Sequence, residues 1–103
     1  HINAHCTENH TGVIWGDDTA ELFFSAPGAS YPYIHIAINA KGIYRVQLNS
    51  APKVSKELHT FNFKSTGKIG KDGWSVEGEI PLKQLSAVLK GKKTAEINAL
   101  YYI

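Results

Sequence analysis

Polar and apolar residues alternate one by one along most of this chain, and this alternation limits its fold more than any other feature. The clearest run covers residues 33–39, in which Ile34, Ile36 and Ile38 are separated by polar or small residues. Successive side chains of a β-strand point to opposite faces, whereas a helix needs apolar residues three or four positions apart to form one face. The run therefore predicts a strand whose buried face is made by the three isoleucines.

Six further stretches show the same pattern and are separated by turn residues. Their expected bounds are 1–7, 21–26, 43–48, 58–64, 74–80 and 94–103. The short Gly-containing connection at 40–42 joins two runs as a hairpin. Residues 49–57 and 65–73 are polar or rich in turn residues, so we expect loops there. The side chains expected to face inward include Ile2, Ala4 and Cys6 in the first strand, Phe61 and Phe63 in 58–64, and Trp74, Val76 and Ile80 in 74–80.

One stretch has helical spacing instead. Leu82, Leu85 and Leu89 are three and four residues apart, which predicts a short helix near residues 82–90 that ends at Gly91. About seven short strands bounded by turn signals are typical of an all-β fold. We therefore predict a single domain over residues 1–103, an antiparallel β-sandwich of the jelly-roll type.

The composition excludes several classes of partner. The net charge of the chain is +2 and its lysines are scattered, which does not fit a nucleic-acid-binding protein. No apolar run approaches the roughly 18 residues of a membrane span. The single cysteine, Cys6, has no partner for an internal disulfide and falls at an apolar position, so we expect it to be buried. The chain starts at His1 and contains no methionine, from which we expect it to be part of a longer protein.

The residues for catalysis are also missing. Glu77 and Glu79 fall on the same side of one predicted strand, so they cannot flank a glycosidic bond from opposite sides. None of the nucleophile, phosphate-loop or metalloprotease motifs occurs. We therefore expect the chain not to be an enzyme.

An acidic cluster follows the first tryptophan. Asp17, Asp18 and Glu21 lie within five residues and could hold Ca²⁺, with Asp17 and Asp18 as its candidate ligands. They could equally accept hydrogen bonds from sugar hydroxyls, or form a solvated loop. Trp15 just before them could stack on the apolar face of a sugar ring, or it could belong to the core.

Three segments together resemble the family 9 carbohydrate-binding modules. They are the Trp15…Asp18…Glu21-Leu-Phe-Phe cluster, the run YIHIAINAKG at 33–42 and the run GWSVEGEIPLKQL at 73–85. Their order and spacing match across nearly the whole chain, and the last segment is the most distinctive.

The resemblance implies a β-sandwich that binds sugar chain ends or related glycans and often carries structural calcium. Such modules often stand beside catalytic domains in secreted bacterial enzymes, which implies an extracellular or periplasmic protein. By resemblance, Trp15 stacks on the sugar, and Glu21 accepts hydrogen bonds from its hydroxyls. His35 stands where family members can have an arginine that donates to the sugar, and Asn98 lies in the strand that lends an amide side chain.

The chain also departs from the family pattern at both ends. The strands that normally precede Ile2 are missing, and the second stacking aromatic that follows the strand at Ile97 has only Tyr101 and Tyr102 as substitutes. The chain therefore resembles a module shortened at both ends. An alternative hypothesis is a structural or protein-interaction domain of a larger secreted or surface protein, with a decayed sugar site. A third hypothesis, a small enzyme or a haem-binding relative, lacks a methionine ligand and a catalytic constellation.

Overall fold

Strands are the main regular structure of the protein in its computed structural model, which describes residues 2, 4–10, 14–92 and 94–102, with the backbone alone at 15, 98 and 100–102. The strands of the described chain are β1 Thr19–Ser25, β2 Tyr33–Asn39, β3 Tyr44–Ala51, β4 Val54–Glu57, β5 Lys64–Ile69, β6 Trp74–Glu79 and β7 Glu96–Tyr102. A 3-10 turn, Ile14–Gly16, precedes β1. A second 3-10 turn, Leu82–Leu85, leads into the one-turn helix α1, Ser86–Leu89.

The strands form two antiparallel sheets. The larger sheet has the order β4-β3-β2-β1-β7, and β5 and β6 form a separate hairpin. The described residues thus confirm the predicted all-β, sandwich-like fold with one short helical segment near residues 82–90. None of the helices described is long and apolar enough to cross a membrane.

The core lies on one face of the larger sheet, where residues 58–63, the helical segment and Val76 of β6 pack against it. Ile34, Ile36 and Ile38 of β2 are buried, as their alternation predicts. They pack in one cluster whose other buried members are Phe24, Tyr44, Val46, Phe61, Leu85 and Val88. The helical segment contributes Leu85 and Val88 to this cluster, which explains its position beneath the sheet.

Two predicted loops are in fact strands. β3 continues to Ala51 and pairs with β4 across a tight turn that contains Pro52 and Lys53. Residues 64–69 form β5, which pairs with β6 along its whole length. β4 exposes most of its side chains on both faces, and the half-buried positions of β5 are the small residues Ser65 and Gly67. Neither strand therefore has an apolar alternation, and backbone pairing defines them instead.

One predicted strand is wrong in turn, and one predicted core residue is only partly buried. Residues 58–63 form no strand, although Phe61 is buried and Phe63 packs against the core, as expected. The alternation there marks which side chains are buried and not a hydrogen-bonded ladder. Trp74, expected in the core, is partly buried at the end of the hairpin, opposite the exposed Ile69.

The predicted first strand is also absent from the described part of the N-terminal segment. The N–H groups of His5 and Cys6 donate to the two carboxylate oxygens of Asp17, at 2.9 and 3.0 Å, and not to a neighbouring strand. Cys6 is buried as predicted, in a small second cluster with Ile14 and Ala37. The segment therefore lies across the sheet and is held by a side chain.

The two sheets meet at a close backbone contact. A Cβ atom on Gly67 of β5 would lie 2.1 Å from the carbonyl oxygen of Ala40, in the β2–β3 turn. In that turn Gly42 has φ +79°, a conformation that side chains rarely adopt, and its carbonyl accepts a hydrogen bond from the Ser65 hydroxyl. Only glycine at position 67 allows the hairpin to approach the turn this closely.

Candidate functional site

The face of the larger sheet that points away from the core carries polar and aromatic side chains, and we call it the polar face. It follows from the alternation on β1, β2 and β3, where these residues lie between neighbours that face the core, and from the register of β4 with β3. The polar face carries Glu21, Phe23 and Ser25 of β1, Tyr33 and His35 of β2, Arg45, Gln47 and Asn49 of β3, and Ser55 and Glu57 of β4.

Glu21 and His35, two of the predicted sugar-binding residues, are in direct contact on the polar face. The Nε2 atom of His35 lies 2.5 Å from Oε1 of Glu21. The strand register makes them diagonal neighbours, since Glu21 pairs with Ala37 and His35 pairs with Phe23. The exposed fractions are 14% for the His35 side chain and 9% for the Glu21 side chain. A ligand would therefore reach this pair at the floor of the face.

An aromatic row extends from this pair along the polar face, formed by His35, Phe23, Tyr33 and Tyr31. Phe23 stacks on the imidazole of His35, with ring centroids 4.4 Å apart and planes within 12°. Tyr33 lies 6.0 Å from Phe23, and Tyr31 lies 5.5 Å from Tyr33. The sequence analysis missed this row, although Phe23 and Tyr33 have the same parity as Glu21 and His35 on their strands.

The other two predicted sugar-binding residues are placed by their backbone only. Trp15 belongs to the 3-10 turn before β1. Its side chain lies outside the described residues, so its expected stacking on a sugar stays a prediction. Asn98 is in β7, at the register position opposite Phe23, in the same cross-strand row as His35. Its side chain also lies outside the described residues, so its predicted role stays a prediction.

A second polar cluster lies at the β3–β4 edge of the polar face. Glu57 accepts a hydrogen bond from Gln47 at 2.9 Å and pairs with Arg45, whose Nη2 lies 3.2 Å from the same oxygen. The other carboxylate oxygen of Glu57 is buried and accepts no hydrogen bond from the described residues. Sequence reasoning missed this cluster because it assigned Glu57 to a loop.

Asp17, a predicted calcium ligand, is buried and surrounded by hydrogen-bond donors. Its carboxylate accepts hydrogen bonds from the N–H groups of His5 and Cys6 and, at 3.0 Å, from the amide of Asn39. Burial raises the pKa of Asp17, but the hydrogen bonds from Cys6, Asn39 and His5 outweigh it and hold the pKa below its usual value.

The hydrogen-bond donors around Asp17 bear on whether it can bind the calcium that the family resemblance implies. Both oxygens of Asp17 are directed at N–H groups, which repel a cation. Asp18 is buried too, yet no group of three His, Cys, Asp or Glu side chains suited to a metal occurs among the described residues. Asp17 therefore does not fit as a calcium ligand, and its contacts give it a role in holding the N-terminal segment.

An open groove lies at the end of the polar face that is distant from Asp17, and we call it the Tyr33 groove. Its volume is about 500 Å³. It is lined by Phe23, Ser25, Ala29, Ser30, Tyr33, Glu96 and Ala99. β1, β2, β7 and the loop after β1 all contribute, so no local motif announces it.

Comparison of the chain with protein-family models, with curated proteins and with solved structures found no match. The similarity to the family 9 modules therefore rests on the sequence segments described above.

Proposed function

We propose that this chain binds carbohydrate without catalysing a reaction, and that the sugar binds on the polar face at Glu21 and His35. The observation that carries the proposal is that a carboxylate, an imidazole and the stacked ring of Phe23 come together on one sheet face. The sequence resemblance points to the same two polar residues independently of their contact.

The chemistry of these groups fits a sugar. An ionised carboxylate accepts hydrogen bonds from hydroxyl groups, and an imidazole donates or accepts according to its tautomer. Neighbouring hydroxyls on a pyranose present donors and acceptors close together, as the carboxylate and the imidazole do. Phe23, stacked on His35, adds flat apolar surface on which the C–H face of the ring can pack.

The geometry of the pair also supports a role without catalysis. Glycoside hydrolysis uses two carboxyl groups at least roughly 5 Å apart, with the scissile bond between them. Glu21 instead contacts a histidine directly, which leaves no space for a bond between the two side chains. The resemblance further supports a secreted protein, extracellular or periplasmic, that stands beside another domain.

Isothermal titration with neutral sugars tests the proposal. The panel consists of glucose, galactose, mannose, xylose and N-acetylglucosamine together with their linked oligomers. Glu21→Gln should weaken binding by roughly 3- to 30-fold, because the amide keeps an acceptor oxygen but loses the charge assistance, which contributes about 0.5–2 kcal/mol. Glu77→Gln, an exposed substitution on the other sheet, is the matched control and should bind like the unaltered protein.

A second variant covers loss of folding, and two outcomes would contradict the proposal. If Glu21→Gln unfolds the protein, His35→Gln replaces it, since it keeps a polar side chain of similar reach. The proposal is wrong if no sugar of the panel binds at millimolar concentration, or if both variants bind every sugar as the unaltered protein does.

The alternative, a structural or protein-interaction domain, is favoured by one observation. Ile97 of β7 pairs with the buried Phe24 in the ladder, yet it is 61% exposed. β7 is the end strand of the larger sheet as described, and the other described residues leave most of this side chain uncovered. Self-association in sedimentation measurements that Ile97→Thr abolishes would support this alternative.

A further inference from the structure

We propose that the Tyr33 groove binds a second sugar ring, so that the ligand is a neutral oligosaccharide lying along β1 and not a single sugar. This inference rests on the proposed function, because it extends the site at Glu21 and His35. It adds a subsite built from residues that neither the motifs nor the family resemblance assigns.

The two ends of the polar face differ in what covers them. At the end of β2 that carries Ala37 and Asn39, both residues are fully buried. The N-terminal segment lies over that end, where Cys6 packs on Ala37 and accepts a hydrogen bond from the Asn39 amide. At the opposite end Tyr33 is only partly buried and lines open space. A ligand that extends from the Glu21–His35 pair therefore has room in one direction.

The walls of the groove suit a pyranose ring. Phe23 and Tyr33 supply two aromatic surfaces inclined at 52° to each other, and Tyr31, 40% exposed, continues them beyond the groove. Such inclined rings form a concave apolar surface for the C–H face of a sugar. The hydroxyls of Ser25 and Ser30 lie beside it and can exchange hydrogen bonds with the hydroxyls of the sugar.

The charge of the groove selects among sugars. Glu96 is the only charged side chain among the described lining residues, and its Oε2 accepts a hydrogen bond from the N–H of Gly28 at 3.0 Å. This bond holds the carboxylate at the loop, where it can accept from a neutral sugar. A uronic acid would bring a second negative charge to the same place and bind less tightly.

The groove and the pair are continuous, and this sets the length of the ligand. Phe23 belongs to both, since it stacks on His35 and lines the groove. His35 and Tyr33 are two residues apart on β2, a distance of about 7 Å along the strand. That spacing is comparable to the repeat of a linked pyranose chain, so neighbouring rings of an oligosaccharide can occupy the two places.

The other grooves carry no comparable argument. Two grooves of about 630 and 500 Å³ lie along the β5–β6 hairpin, at Glu77 and Phe63 respectively. The first has no aromatic side chain among its described lining residues. Neither groove belongs to the polar face.

The test compares monomers with oligomers of each sugar that binds in the panel above, by isothermal titration. In the unaltered protein the oligomer should bind more tightly than the monomer, by roughly 2- to 10-fold, which is what an added aromatic contact contributes. Tyr33→Ala should remove this gain and leave the affinity for the monomer unchanged. Tyr33→Phe, which keeps the ring, is the matched control and should retain most of the gain.

A second variant keeps the inference testable if Tyr33→Ala does not fold. Glu96→Lys changes an exposed residue and should raise the affinity for oligogalacturonates relative to neutral oligomers. The inference is overturned, with the proposed function intact, if monomer and oligomer bind equally and neither variant changes the ratio. If no sugar binds at all, the proposed function fails and this inference fails with it.

Discussion

Replacing Asp17 by asparagine removes a negative charge from the point where the N-terminal segment meets the larger sheet. The Oδ2 atom of Asp17 accepts hydrogen bonds from Cys6 and Asn39, and Oδ1 accepts one from His5. An asparagine side chain has only one acceptor oxygen. Its best orientation keeps the two bonds at the Oδ2 position and turns an amide donor toward the N–H of His5.

The loss follows from these three hydrogen bonds. A hydrogen bond to a charged group contributes about 1.5–3 kcal/mol, and one between neutral groups contributes about 1 kcal/mol. One bond is lost and two are weakened, which sums to roughly 3–5 kcal/mol. The neutral amide also avoids the desolvation cost of the buried carboxylate, which offsets part of the loss. We therefore expect the free energy of unfolding to fall by about 2–3 kcal/mol, and Tm by roughly 10–20 °C.

Urea denaturation at several pH values measures the loss. The hydrogen bonds lower the pKa of Asp17 in the folded state, so its stabilisation is complete above the unfolded pKa of about 3.9. It is lost as the pH falls through the folded pKa. The difference between the unaltered protein and Asp17→Asn should therefore stay constant from neutral pH to about 5 and shrink below about 4.

Asp72→Asn is the matched control, because Asp72 is exposed in the turn between β5 and β6. Its stability should stay within about 0.5 kcal/mol of the unaltered protein. A loss in Asp17→Asn no larger than in this control would refute the argument, as would a difference that grows as the pH falls. Either result would mean that the carboxylate does not hold the N-terminal segment.

Two further substitutions test the backbone by urea denaturation. Gly67→Ala should lower the free energy of unfolding by about 2–3 kcal/mol, because the new methyl group meets the carbonyl oxygen of Ala40. Gly70→Ala, the control, has space for the methyl group and should lose little stability, so equal losses in the two variants would contradict this. Lys90→Gly should raise the free energy of unfolding by about 1 kcal/mol, since Lys90 ends α1 in the left-handed conformation at φ 48° and ψ 48°. An unchanged urea midpoint would mean that the backbone of Lys90 is not strained.

The strands that could be predicted are those with one buried face. β2 was predicted at its observed bounds, because burial of Ile34, Ile36 and Ile38 requires an alternating sequence. β4 escaped prediction because it is exposed on both faces, and β5 because its half-buried positions are the small residues Ser65 and Gly67, so neither has an apolar period. The N-terminal segment shows the opposite error, because its alternating sequence predicted a strand that the described residues do not form. The N–H groups of His5 and Cys6, which a strand would pair, donate to Asp17 instead.

Part of the candidate site could also be predicted from the sequence, and part could not. Glu21 and His35 were selected from the resemblance of the sequence to the family 9 modules, and the alternation of their strands is consistent with a shared face. Their contact depends on the register between β1 and β2, which no local pattern states. Glu57 was missed because residues 49–57 were assigned to a loop. Glu96 was missed because its strand, β7, pairs with β1, which lies far away in the chain.

The sequence by itself determined that this chain is built of short strands, which residues of the buried strands face the core, and that one helical segment follows β6. Those properties depend on side-chain period and turn chemistry, which are local. Only the tertiary structure decided which strands are neighbours, where the N-terminal segment lies and which end of the polar face stays open. Those properties depend on long-range backbone pairing and on a few buried polar contacts, such as those of Asp17, whose partners are far apart in the chain.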